Sequence, residues 1–162
     1  MIRSMSLAGR GDFDALVVRT AYGDDQTWAE VRGLLLAPWG EDYEASVYFI
    51  DNPAWAGASI DEVLDASRSD RYCSVVFIAD AVTMEATHRA LLAVTTGTRE
   101  ELGDEEYEAS IEFGREFRTV PVEVHWIEAN LSISNMDFVE FSEAASEQPD
   151  GVFRGFDGHV LA

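Results

Sequence analysis

Three short runs of apolar and β-branched residues do most to fix the fold class: Ala15–Arg19 (ALVVR), Ala45–Ile50 (ASVYFI) and Ser74–Ala79 (SVVFIA). The third is apolar almost without interruption. A strand with one wet face alternates apolar and polar residues, so a strand that drops the alternation is covered on both faces. The segments between the runs carry helical punctuation. Asp24 and Asp25 precede Trp28, Val31 and Leu35, which recur at helical spacing. Carboxylates in a first turn suit the helix dipole. Ser59-Ile60-Asp61-Glu62 has the spacing of a capping box, in which the serine and glutamate satisfy each other's free amides. Pro38-Trp39-Gly40 stops the first helix, and Asp51-Asn52-Pro53 is turn chemistry.

The rest of the chain reads in the same way. Thr83–Ala90 is expected as a helix, Leu91–Thr95 as a fourth strand and Glu116–Val120 as a fifth. Thr98-Arg99-Glu100-Glu101 is a second capping box and opens an acidic segment, Glu100–Glu116, with eight carboxylates in 17 residues. The stretch after Pro121 fits two periods. Val120, Val122, Val124 and Trp126 alternate as in a strand, whereas Val124, Ile127 and Leu131 recur as in a helix. Proline suits a first helical position, which favours the helix. Asn135 or Asp137 caps a last helix with Phe138, Phe141 and Ala145 inward, and the tail Asp150–Phe156 docks on the body through its aromatics. Residues 1–14 read as a loose leader and 15–162 as a single domain. Strands alternating with helices predict the α/β class: a largely parallel or mixed sheet of four to six strands, with helices on both faces.

Charge bounds the function. The 162 residues hold 31 acids and eleven bases, all of them arginine, for a net charge of −20. A surface this negative repels phosphate backbones and anionic lipid, so direct nucleic-acid and membrane binding are not expected. It favours solubility and basic partners. Cys73, the one cysteine, leaves no disulfide framework and reads as a small buried thiol beside the third run. No stretch reaches the length of a membrane span and the N-terminus lacks a signal-peptide core. A cytoplasmic protein is therefore expected.

Three sets of residues are candidates for chemistry. Asp25, Asp51 and Asp80 fall at the carboxyl ends of the first three strands, where ligands bind in parallel α/β sheets. If they converge they offer oxygen ligands to Mg²⁺, an arrangement that resembles the acidic pocket of receiver-type domains without its lysine. Aspartate is equally common there as a turn or cap residue. His125 lies three residues before Glu128, the spacing of a general acid–base pair on one helix face and equally of a half-buried histidine at a packing seam. Glu105, Glu106 and Glu108 lie at the centre of the acidic segment and are candidates for contact with a basic protein, or for a solvated face. The phosphate-loop, dinucleotide, nucleophile-elbow and zincin motifs are absent.

The strings Val120-Pro121, Trp126-Ile127-Glu128, Asn130–Ile133, Asn135–Phe138 and Asp150–Phe156, with the LVVRT first strand and Asp24-Asp25…Trp28, resemble an actinobacterial family known only as a domain of unknown function. NLSISNMDF and DGVFRGF are the most specific parts, and the likeness spans most of residues 15–156. It implies a high-GC bacterial cytoplasm, in which arginine replaces lysine, and brings no activity or substrate. The acidic segment is longer than the family pattern leads one to expect. The expected function is a non-enzymatic, immunity-like or regulatory interaction module with an acidic face. The alternative is a small-ligand or Mg²⁺-dependent enzyme built on the strand-end carboxylates.

Overall fold

A computed structural model describes residues 3–38 and 46–156. The expected helix stop at Trp39-Gly40 and the start of the second run at Ala45 lie outside the described residues. Strand β1 (Ala15–Arg19) leads through helix α1 (Asp25–Leu36) to β2 (Val47–Ile50). A 3₁₀ turn (Pro53–Trp55) and α2 (Ile60–Ser67) then lead to β3 (Val75–Ala79). After α3 (Ala81–Glu85) come β4 (Leu91–Thr95), α4 (Arg99–Leu102), α5 (Asp104–Ser110) and β5 (Glu116–Thr119). A second 3₁₀ turn (Pro121–Glu123) precedes α6 (Val124–Ser132), α7 (Phe138–Ser146) and β6 (Val152–Phe153).

The strands form one mixed sheet in the order β2-β1-β3-β4-β5-β6. β1 is parallel to both β2 and β3, β4 runs antiparallel to β3 and β5, and β6 is parallel to β5. Every residue of β1, β3 and β4 is buried, as strands without alternation require. The period of two sorts their side chains between two cores. Val17, Phe77, Ala93 and Phe117 face Trp28, Val31 and Leu35 of α1, Ile127 and Leu131 of α6, and Phe138 and Phe141 of α7. Leu16, Val18, Val76, Ile78, Leu92 and Val94 face Val63 and Leu64 of α2, with Trp55 and Leu7. The crossover from β1 to β2 and the one from β2 back past β1 to β3 run in opposite directions across the sheet, so right-handed connections carry α1 and α2 to opposite faces. The switch in direction falls between β1 and β3.

Several expectations change. The segment before β1 has no regular secondary structure, but it is docked rather than loose. Leu7 is buried, the Trp55 indole donates to Ser4 O at 3.1 Å, and the Tyr48 hydroxyl donates to Ser6 O at 2.7 Å. The helix expected over Thr83–Ala90 ends at Glu85, because Asp80 caps it three residues earlier and Arg89 adopts a positive φ of 54°. Of the two periods that fit 120–131, the helical one favoured by Pro121 is the one observed, with Pro121 in first position. Asp137, not Asn135, caps α7. The tail adds a strand, β6, to the sheet edge. Its Phe153 completes an aromatic cluster with Phe117, Phe141 and Phe156 at centroid distances of 5.1–6.3 Å.

Candidate functional site

The carboxyl ends of β1, β2, β3 and β5 share one edge of the sheet. Arginines from the strands organise that edge. Arg19 closes β1 and is almost wholly buried, so its charge needs partners. Its guanidinium reaches Asp25 at 3.0 Å and Asp51 at 3.4 Å, and lies 4.1 Å from the Tyr22 ring centroid and 5.1 Å from that of Trp28. Asp51 also accepts from the Tyr22 hydroxyl at 3.0 Å and the Trp28 indole at 3.1 Å. Burial and the Asp51 carboxylate hold the Tyr22 hydroxyl in its protonated form well above the usual tyrosine range.

Asp80 belongs to a different cluster. Both its oxygens meet Arg118 of β5, at 2.7 Å each, and it caps α3 through the Thr83 amide at 3.3 Å. Burial works against the Asp80 carboxylate, but Arg118 and Thr83 outweigh it and hold its pKa below the ordinary value. Asp51 and Asp80 follow strands two places apart, about 10 Å across the sheet. The expected convergence of Asp25, Asp51 and Asp80 therefore does not occur: two share Arg19 and the third is bound by Arg118. Among the described residues no three histidine, cysteine or acidic side chains are placed to hold a metal ion. Between β1 and β3 lies a crevice of about 400 Å³, lined by Tyr22, Gly23 and Asp24 on one side and Ala81, Met84 and Glu85 on the other. Among the described residues its charges are two carboxylates, Asp24 and Glu85.

His125 and Glu128 do not form the expected acid–base pair. The His125 Nε2 lies 2.7 Å from Leu35 O, one of the carbonyls that the end of α1 leaves without an intrahelical partner. Burial holds the imidazole pKa below its ordinary value. Glu128 is 2% exposed and accepts from Arg10 at 3.0 Å and Ser132 at 2.7 Å. Arg10 also donates to Asp70 at 2.9 Å. Burial pushes the Glu128 carboxyl up to about 7, against the pull of Ser132 and Arg10. The leader thus contributes a buried cation that locks it to α6 and the α2–β3 loop. Cys73, beside this cluster, is 4% exposed and its thiol pKa is raised by burial to about 12. It is an inert packing residue, as expected.

The opposite edge of the sheet carries the acidic segment. Gly103, with φ of 84°, breaks it into α4 and α5. Glu100, Glu101, Asp104, Glu105, Glu106 and Glu108 are all exposed. Arg99 partners Glu108 and approaches Asp104 at 3.6 Å. Glu105 and Glu106 have no cationic partner among the described residues. Beside this surface a cleft of about 350 Å³ opens between α4–α5, the start of β3, the end of β4 and the α6–α7 turn. Leu102, Leu131, Met136 and Phe138 give it an apolar lining. Its charged lining is Glu101 of α4, Glu106 of α5, Asp137 at the start of α7, and Arg71. Nothing in the spacing of these residues marks a cleft, because they come from three separated segments. The buried arginines were more legible: an arginine closing an apolar strand, as Arg19 does, must bring a carboxylate with it.

No curated protein matches the sequence. A family model described as a domain of unknown function, DUF6924, matches residues 14–156. That span runs from the residue before β1 to the end of the aromatic tail and covers most of the chain, so the protein belongs to this family.

Proposed function

We propose that the protein is a cytoplasmic, non-enzymatic interaction module that docks a basic protein through the exposed carboxylates of α4 and α5. One observation carries the reading: among the described residues Glu105 and Glu106 project from a two-helix surface without a cation to neutralise them, while nine of the eleven arginines are paired with carboxylates there. Self-repulsion among neighbouring carboxylates works against folding, and a basic partner relieves it on binding. The same field repels nucleic acid. The strand-end edge favours a catalytic reading less, since Arg19 and Arg118 already neutralise Asp25, Asp51 and Asp80.

Reversing Glu105, Glu106 and Glu108 to Lys tests the reading. The triple variant keeps the fold, because all three side chains are exposed. It slows association with a basic partner by at least about tenfold at low salt and flattens the salt dependence of the on-rate. The measurement is capture from the native cytoplasm with wild-type and variant baits at low and high salt, followed by on-rates for each captured basic protein. Identical partner lists for the two baits at both salts overturn it.

A further inference from the structure

The cleft beside α4–α5 carries charges of both signs, and its one cation is spare. In a chain with 31 acids and eleven arginines, Arg71 has no carboxylate partner among the described residues, and its recorded contact is the Tyr72 ring at 5.5 Å. Both side chains are exposed beside the cleft. On the α4–α5 wall, Glu101 accepts only from the Thr98 hydroxyl, at 3.1 Å, and Glu106 from nothing among the described residues. Leu102, Leu131, Met136 and Phe138 line the same cleft as these charges. A cavity of about 350 Å³ is at the small end of ligand sites. Its chemistry asks for a short unit with an anion at one end, a cation at the other and an aliphatic stem between.

We propose that this cleft binds a basic amino-acid unit with a free α-carboxylate, the carboxylate on Arg71 and the side-chain cation on Glu101 and Glu106, supplied by the C-terminal residue of the partner protein. The proposal rests on the acidic face being a docking surface, and adds to it the anchor that gives direction and register. A guanidinium or ammonium on a three- or four-carbon stem covers Leu102 and Leu131 while its head stays at the carboxylates. Arg71 supplies a planar fork for the terminal carboxylate. Net charge alone provides neither requirement.

The test is an NMR titration of the isotope-labelled full chain with acetyl-Gly-Ser-Arg as the free acid, its C-terminal amide, its norleucine counterpart, and free arginine. The free-acid arginine peptide is expected to shift the Ser74, Thr96, Ala109 and Ser134 amides, and to bind at least about tenfold more tightly than the amide or the norleucine peptide, the discrimination expected from one lost charge-assisted hydrogen bond. Arg71→Gln abolishes the preference for acid over amide, and Glu106→Gln reduces that for arginine over norleucine. Ala109→Phe fills the cleft from the exposed face of α5, alters no charge and removes all the shifts. Its dispersed spectrum elsewhere confirms that it has folded. Equal binding of acid and amide, or no shift at the cleft residues with millimolar peptide, overturns the proposal. Free arginine binding as tightly as the peptide overturns the protein-terminus source. If the peptides fail while the triple lysine variant still slows partner association, the cleft proposal falls and the acidic docking face stands.

Discussion

At the scale of single residues, the tightest chemical constraints lie on buried charges that the sequence disperses. Glu128 has an ordinary carboxyl pKa of 4.5, raised to about 7 in the fold by burial. Between those values the folded chain holds a proton that the unfolded chain has lost, so this residue's stabilisation is present below about 4.5 and disappears as pH rises through 7. Unfolding free energies from urea titrations between pH 5 and 7.5 are therefore expected to fall with pH by about 2 kcal/mol, and Glu128→Gln flattens that slope. Carboxylates with lowered pKa values, such as Asp80, act in the opposite sense but at lower pH. A slope unchanged in the glutamine variant contradicts the assignment. Arg19→Leu removes the only cation bound to Asp51 and Asp25 among the described residues. Both acids retain some solvent, so the cost is about 2 kcal/mol, less than for a fully buried pair, and it shows as a lower urea midpoint.

At the scale of elements, caps and breaks decide where helices run. Asp80 ends the β3 segment, caps α3 and holds Arg118 of β5, so one side chain joins three elements. Asp80→Ala is expected to lower stability by about 2 kcal/mol, from a lost cap and a lost bidentate ion pair. The loss should be the same with and without Mg²⁺ in thermal melts; a melting point that Mg²⁺ raises only in the wild type would reinstate a metal site there. α4 and α5 differ from the other helices in contributing no buried residue. Their carboxylates are thus free to vary without unfolding the sheet, which is why the triple lysine variant reports on binding and not on folding.

At the scale of the whole molecule, the leader completes the layer over the second core. Leu7 packs with Trp55, Val63 and Leu64, and Arg10 reaches across to Glu128, 118 residues further on. Deleting residues 1–10 leaves Glu128 and Asp70 without their cation and uncovers apolar surface. The expected cost is at least about 3 kcal/mol, the usual penalty for breaking a buried ion pair. Cys73, now 4% exposed, should then react with a thiol reagent much faster under native conditions. Unchanged labelling and an unchanged melting point would show that the docked leader does not stabilise the fold.

How much was legible follows from the range of each interaction. Local signals in the sequence located β1, β3, β4, the caps at Ser59 and Thr98, and the helix after Pro121, because hydrophobic period and capping act over three or four residues. The absence of alternation in SVVFIA likewise fixed a sheet covered on both faces. The sequence also placed the acidic segment on a surface, since so much like charge cannot be buried. It could not show that Asp25 and Asp51 answer to Arg19 while Asp80 answers to Arg118. That depends on strand order, and the positions are 38 residues apart in the Asp80–Arg118 pair. Nor could it show that the leader is docked, because Arg10 finds Glu128 only after α6 has packed on the sheet. The two-residue β6 lacks a periodicity of its own and exists only as an addition to β5. The cleft is the clearest case: Arg71, Glu101, Glu106 and Leu131 share it only because the chain visits one edge of the sheet three times, at 71–74, 95–110 and 131–139, and charge pairing across such distances is decided by tertiary packing alone.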